Sequence, residues 1–379
     1  MDARPPKQPR PWPLPKAVPH RFAKTEIVTS PHIADHGDGT STVTFVCEAP
    51  QASAVLIFVN RLSDETSLAE CEMEPLADGR WVWAVRMPNA WRASYAFLIH
   101  DGDGPAPWQS ITDHGELRAV LDAGVPDPLN PDAIINSRGQ LQSVVQLPEA
   151  PAQPWWHGPV AEGPPEFEVG KRKVWLHSTT GASAESPVFF ILDGKRWWQD
   201  QGLARGVDQA VAAGACAPVH LVFVDAGARL DRWRDYGERS GLAQELGTVI
   251  VSWAVEQLGL RHDPARTIVA GQSLGGLSAL WAVADCGAAL GVAIAQSASL
   301  WLDPDAGLGN AAQGEIHLQV GTLEWALLSP HRELAAKRRA SGGNIVLREF
   351  IGGHDYACWR GGLMDELISI AGARNRNPS

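Results

Sequence analysis

Residues 266–280, Arg-Thr-Ile-Val-Ala-Gly-Gln-Ser-Leu-Gly-Gly-Leu-Ser-Ala-Leu, constrain the fold of this chain more than any other stretch. Thr267–Ala270 is a β-branched apolar run that reads as a buried strand, and Leu277–Ala284 reads as an amphipathic helix. Between them lies Gly271-Gln272-Ser273-Leu274-Gly275, the G-x-S-x-G pattern of a nucleophile elbow. A turn that passes from strand to helix so abruptly needs small neighbours, which the glycines two residues either side of Ser273 supply. It lifts the serine hydroxyl clear of the sheet, and the helix N-terminus behind it favours developing negative charge. Ser273 is therefore the candidate nucleophile.

The second half of the chain gives this elbow a setting. Strands are expected at Lys173–Thr179, Pro187–Leu192, Val219–Val224, Gly291–Gln296, Glu315–Val320 and Asn344–Phe350. Helices are expected at Trp197–Ala213, Leu242–Leu258, Pro330–Arg339 and Gly362–Ile370. Alternation of this kind means a largely parallel sheet covered on both faces, and with the elbow in its middle the expectation is an α/β-hydrolase domain over 167–379. The first half has a different rhythm. Short runs at Ser41–Cys47, Ala54–Val59, Arg80–Val85 and Ser94–Ile99, separated by Gly, Asp, Asn and Pro turns, suggest an immunoglobulin-like β-sandwich over 24–146. Residues 1–23 read as a disordered or loosely draped arm, and the Pro/Gly/Trp-rich stretch 147–166 as a linker. Nothing in the β domain resembles a catalytic group, so it reads as a structural or substrate-covering module.

A serine at neutral pH needs a general base, and the base an orienting acid, in the order Ser, Asp/Glu, His along such a chain. Three histidines follow Ser273. His317 lies inside a strand and His331 at the start of a polar helix, where a solvated side chain is the default. His354 falls just after the last strand, in the flexible turn Gly352-Gly353-His354-Asp355, and is the expected base. Glu324, four residues after the strand Glu315–Val320, is the first choice of acid. Asp303 and Asp305 remain open, Asp355 is disfavoured by adjacency to the histidine, and a Ser–His dyad also remains open. The oxyanion donors are expected to be the N–H of Leu274 and one from the loop Asp193-Gly194-Lys195, with Lys195 named as the second donor.

Composition bounds the partners. A formal charge of −11 argues against nucleic acid, and no stretch reaches the roughly 20 apolar residues of a membrane span. Five cysteines without C-x-x-C spacing fit reduced thiols, and no apolar signal core opens the sequence; a cytoplasmic protein is the expectation. There is no zinc-type His/Cys spacing, no Walker A loop and no G-x-G-x-x-G after a strand, so no protein-bound cofactor is expected. The oligomeric state is not legible.

The run Gly352-Gly-His-Asp-Tyr-Ala-Cys358-Trp-Arg-Gly-Gly-Leu363 resembles the signature of the enterochelin (enterobactin) esterases. So do Val269–Leu280, Leu192-Asp-Gly-x-x-Trp197, Gln296-Ser-Ala-Ser-Leu-Trp301, Trp91-Arg92-x-Ser94-Tyr95 and Asp127-Pro-Leu-Asn-Pro131. The resemblance covers most of residues 40–372. It implies hydrolysis, in the cytoplasm, of the ester bonds of ferric enterobactin, a trianionic catecholate trilactone, with iron(III) arriving as cargo of the substrate. It further implies cations and aromatic faces around the serine. Arg232 stands where the family carries an arginine, with Asp235 in place of the usual glutamate; Arg360, Trp197, Trp301 and Trp359 are the other candidate substrate contacts. Two other readings stay open: a feruloyl or carbohydrate esterase, and a non-catalytic siderophore-binding protein.

Overall fold

A computed structural model describes residues 8–23, 29–156, 163–309 and 314–376. Residues 1–7 of the expected arm, the boundary at 24, and part of the expected linker (157–162) lie outside the described residues. The chain forms two compact units. The first comprises Met1–Pro151 together with two short loops from the second half, Thr322–Trp325 and Ile351–Cys358; the second comprises the rest.

In the first unit, eight strands form two antiparallel four-stranded sheets. They are β1 (His32–Asp35), β2 (Thr40–Glu48), β3 (Ala54–Val59), β4 (Glu74–Pro75), β5 (Arg80–Pro88), β6 (Arg92–His100), β7 (Ala133–Ile135) and β8 (Leu141–Gln146). The sheet orders are β1-β2-β5-β4 and β3-β6-β8-β7. Residues from both sheets, among them Phe45, Trp83, Ile57 and Tyr95, bury themselves in one apolar cluster, with Phe45 edge-on to Tyr95 at 4.7 Å. The Tyr95 hydroxyl donates to buried Asp127 (2.7 Å), so the segment Asp127-Pro-Leu-Asn-Pro131 is anchored at its first residue. Residues 8–22 depart from the loose arm expected of them. Ala17 N–H donates to Ala84 O (3.0 Å) and Arg86 N–H to Pro15 O (2.8 Å), while Leu14 is buried and Arg10 pairs with Glu70. Backbone pairing to β5 overrides the proline-rich composition.

The second unit is α/β. Its strands are β9 (Glu166–Val169), β10 (Arg172–Ser178), β11 (Val188–Leu192), β12 (His220–Val224), β13 (Thr267–Gln272), β14 (Val292–Gln296), β15 (Glu315–Gly321) and β16 (Asn344–Phe350). They form one sheet in the order β16-β15-β14-β13-β11-β12-β10-β9. β11 to β16 run parallel, and β10 and β9 close one edge antiparallel. The inner parallel strands are buried on both faces, which is why they read in sequence as unbroken apolar runs such as Phe189–Leu192. The helix Leu274–Asp285 and the helical stretch 242–258 share one apolar cluster with them.

At the carboxyl ends of β11, β13 and β14 the chain leaves through a non-glycine residue of positive φ: Asp193 (56°), Ser273 (58°) and Ser297 (49°). Each such residue carries about 1–3 kcal/mol of strain that the surroundings must offset. Among the described residues, no helix is long and apolar enough to cross a membrane.

Candidate active site

Ser273 sits between the last residue of β13 and the first turn of the helix Leu274–Asp285, with φ 58° and ψ −118°. Its N–H donates to Gln296 O (3.0 Å), its carbonyl accepts from Ser299 N–H (3.0 Å), and its Oγ lies 3.4 Å from Ser299 Oγ. The two motif glycines differ in what requires them. A Cβ at Gly271 would overlap the backbone of Gly275, whereas one at Gly275 would meet Asp193 and Tyr236 at an ordinary 3.5 Å. Gly271→Ala is therefore expected to collapse the elbow and remove soluble, active protein. Gly275→Ala is expected to keep its fold, melting within a few degrees of wild type, as thermal unfolding of the two variants would show.

His354 and Glu324 are brought together: Nδ1 of His354 lies 2.6 Å from Glu324 Oε1, and the Glu324 side chain is fully buried while the imidazole is partly exposed. Glu324 follows β15 by three residues and His354 follows β16 by four. The His354 carbonyl accepts from Asn60 Nδ2 (3.0 Å). The other candidate acids are engaged elsewhere. Asp355 accepts from the N–H groups of Ser94 (2.6 Å) and Ala357 (3.0 Å), Asp303 from the Trp281 indole (2.7 Å), and Asp305 pairs with Lys337 (2.6 Å).

The other two histidines are not available as bases. His317 bridges Glu366 (2.7 Å) and Glu315 (2.9 Å); burial works to lower its pKa, but the two carboxylates outweigh it and push it up to about 9. It is thus protonated at neutral pH. His331, expected to be solvated, is instead fully buried inside the helix Trp325–Ala340, where its Nε2 accepts from Ala298 N–H (3.0 Å).

The loop after β11 is held from several sides. Asp193 takes both Nε (2.6 Å) and Nη2 (2.7 Å) of Arg232, whose guanidinium lies 5.0 Å over the Tyr236 ring, and its N–H donates to the Tyr236 hydroxyl (3.0 Å). A Cβ at Gly194 would overlap the backbone of Phe223 and Val224, so only glycine fits there. Lys195 follows with an exposed side chain and its backbone in helical geometry.

Family models match along most of the chain: one described as "Enterochelin esterase, N-terminal" over residues 42–156, and one described as "Putative esterase" over 170–370. An iron(III) enterobactin esterase of Escherichia coli O6:H1 is 31% identical over 320 residues, covering 76% of this chain and 79% of the relative. The chain belongs to the enterobactin esterase family.

Among family relatives, an iron(III) salmochelin esterase of the same strain is 28% identical over 367 residues, covering 87% of each chain. An enterobactin esterase from Shigella flexneri, solved in the presence of enterobactin, is 26% identical and superposes with a TM-score of 0.75 over 89% of this chain and 95% of that one.

Four of the side chains expected at the substrate have partners within the protein, two of them buried and two partly exposed. Trp197 is fully buried, its indole donating to Gln272 Oε1 (2.8 Å). Trp359 is buried, with its indole on Ser297 Oγ (2.9 Å). Arg232 is taken up by Asp193, and Arg360 donates to Gln153 (2.6 Å) and lies over Trp156. Only Trp301 keeps a partly exposed ring, 6.2 Å from that of Trp233, a residue sequence reasoning had not singled out.

Trp197 begins a buried ladder beneath the elbow. Gln272, Gln296 and Gln319 stand in register on β13, β14 and β15. Gln272 Nε2 donates to Gln296 Oε1 (2.9 Å), Gln296 Nε2 to Gln319 Oε1 (2.7 Å), and Gln319 Nε2 to Glu366 Oε1 (3.1 Å). An indole only donates and a carboxylate only accepts, so the two ends fix the direction of all three amides. Gln296→Met keeps the volume but strands Gln272 Nε2 and Gln319 Oε1, each worth about 1–3 kcal/mol. A lowered denaturation midpoint at unchanged m-value is the expected result. Among the described residues, no group of three or more His, Cys, Asp or Glu side chains is placed to hold a metal ion.

Proposed function

We propose that this chain is a serine carboxylic-ester hydrolase that cleaves the ester bonds of ferric enterobactin, or of a closely related catecholate trilactone, to release iron in the cytoplasm. The observation that carries it is the 2.6 Å pair of His354 and Glu324, on loops leaving β16 and β15, in a chain whose β13 ends in the strained Ser273 elbow. In this reading the second unit is an α/β-hydrolase domain and the first an immunoglobulin-like β-sandwich.

The chemistry follows from the side chains. Ser273 Oγ attacks a lactone carbonyl while His354 Nε2 takes its proton, and Glu324 holds the imidazole in the Nδ1–H tautomer and stabilises the imidazolium. The N–H of Leu274 and one from the Asp193-Gly194-Lys195 loop receive the oxyanion; losing one such donor raises the barrier by about 3 kcal/mol. Arg232 and Tyr236 act by holding that loop rather than by touching substrate. His354 gives that proton to the substrate's leaving alkoxide as the lactone C–O bond breaks. It then takes one from a water that attacks the Ser273 ester, passing it to Ser273 Oγ as the acyl group departs as the acid. Iron(III) enters and leaves as cargo, with no resident cofactor in the reaction, and Trp301 supplies an aromatic face to a catechol.

A comparison of substrates tests the reading. The trilactone should be hydrolysed with a far higher kcat/KM than a p-nitrophenyl ester of a small acid. Cleavage of the simple ester with the trilactone untouched would keep the hydrolase and remove the siderophore.

A further inference from the structure

A ferric tris-catecholate carries three negative charges, and the protein that receives it carries a formal −11 of its own. Of the cations expected to meet it, Arg232 is paired with the Asp193 carboxylate, while Arg360 donates to the neutral amide of Gln153 and lies over Trp156. Other arginines of the first unit are similarly engaged. Arg92 donates to Gln146 and Pro151 O, and Arg118 to Glu65 and Asp122.

Arg61 differs. It lies in the turn two residues after β3, in the first unit, and is partly buried, yet among the described residues it makes no hydrogen bond and no ion pair. Its guanidinium carbon lies 5.5 Å from the centroid of the Trp325 ring. Trp325 is the neighbour of Glu324. Arg61 also packs on the loop of the base: a Cβ at Gly353 would overlap Arg61 Cγ, and the preceding Asn60 donates to the His354 carbonyl (3.0 Å). Burial lowers the pKa of the Arg61 guanidinium, and the nearby carboxylate of Glu324 works the other way. The Arg61 backbone is left-handed, φ 63°, a conformation that glycine or asparagine adopts far more readily than arginine. A strained backbone that presents an unpaired cation beside both the acid and the base loops is a poor arrangement for stability alone.

We propose that Arg61 is an anion-binding residue for the substrate, selecting the ferric, trianionic catecholate over its iron-free form. The inference rests on the siderophore reading above. A guanidinium over an indole face is weakly hydrated and keeps donors for phenolate oxygens, which an ammonium could not present as a planar fork.

The strain supplies the test. Arg61→Asn removes the cation and eases the backbone, so it should fold and melt at or above the wild-type temperature. Binding is read rather than turnover, by quenching of tryptophan fluorescence in a Ser273→Ala background with and without Arg61→Asn. Ferric and iron-free enterobactin are compared at slightly acidic pH, where the iron-free trilactone keeps its catechol protons. Loss of a hydrogen-bonded charge contact corresponds to about a tenfold or larger rise in Kd for the ferric complex. The iron-free Kd should change by less than twofold, and Arg61→Lys should recover part of the ferric affinity. Equal weakening of both ligands, no weakening of either, or a parent protein that binds the ferric form no better than the iron-free one would each overturn the proposal. Failure of the esterase reading would show differently, as intact binding to a wild-type protein that never cleaves the ligand.

Discussion

Ser273→Ala should lower kcat on an ester substrate by about a millionfold, to the level left by binding and oxyanion contacts alone. No other hydroxyl replaces it. Ser299 is the nearest, at 3.4 Å, but it lies beyond the elbow and lacks the turn that exposes a nucleophile. The variant should keep the fold, because the backbone bonds of Ser273 to Gln296 and Ser299 use no side-chain atom. Positive φ is tolerated less well by alanine than by glycine but no worse than by serine. Initial rates of wild type and variant, with circular dichroism alongside, check this. Retention of more than about one part in a thousand of the activity, the scale that removal of a nucleophile leaves far behind, would place the nucleophile elsewhere.

Glu324→Gln should reduce kcat by about 10⁴ with KM changed little, the size of effect seen when a triad carboxylate becomes an amide. Glutamine fits the cavity but cannot stabilise an imidazolium, and it can present its N–H₂ to Nδ1 and hold the wrong tautomer. Asp355 cannot take over, since its carboxylate is spent on the Ser94 and Ala357 N–H groups. Asp355→Asn should therefore change kcat far less than Glu324→Gln. A loss within about tenfold for Glu324→Gln would mean that serine and histidine act as a dyad, far from the usual triad effect.

Ala54–Val59 was legible to the residue, and the elbow strand nearly so, because buried strands read as apolar runs bounded by turn residues. The edge strand Asn344–Phe350, in which only Ile345 is buried, was legible from its short apolar run Ile345-Val-Leu347 after Gly342-Gly343. The helix Arg229–Gly237 was not, since Arg-Leu-Asp-Arg-Trp-Arg-Asp-Tyr-Gly carries no apolar stripe; Tyr236, buried beneath Arg232, is its anchor. Spacing also identified His354 and Glu324, but their pairing is tertiary. Direction of side chains was the recurrent blind spot. Trp197 and Trp359 are aromatic residues near a catalytic motif whichever way they point, and only the structure shows them turned inward onto Gln272 and Ser297. His331 fails for the same reason: a polar helix hid a buried imidazole that receives the Ala298 N–H. Arg61 gives no local sign at all, because its left-handed backbone and its neighbours on 324–325 and 353–354 come from distant parts of the chain.

The most direct test is mass-resolved chromatography of ferric and iron-free enterobactin after incubation with wild-type protein, beside Ser273→Ala. Linear trimer, then dimer and monomer of dihydroxybenzoyl-serine, should appear with wild type and not with the variant. An intact trilactone in every sample would contradict the esterase, and would leave a binding protein built on a hydrolase frame.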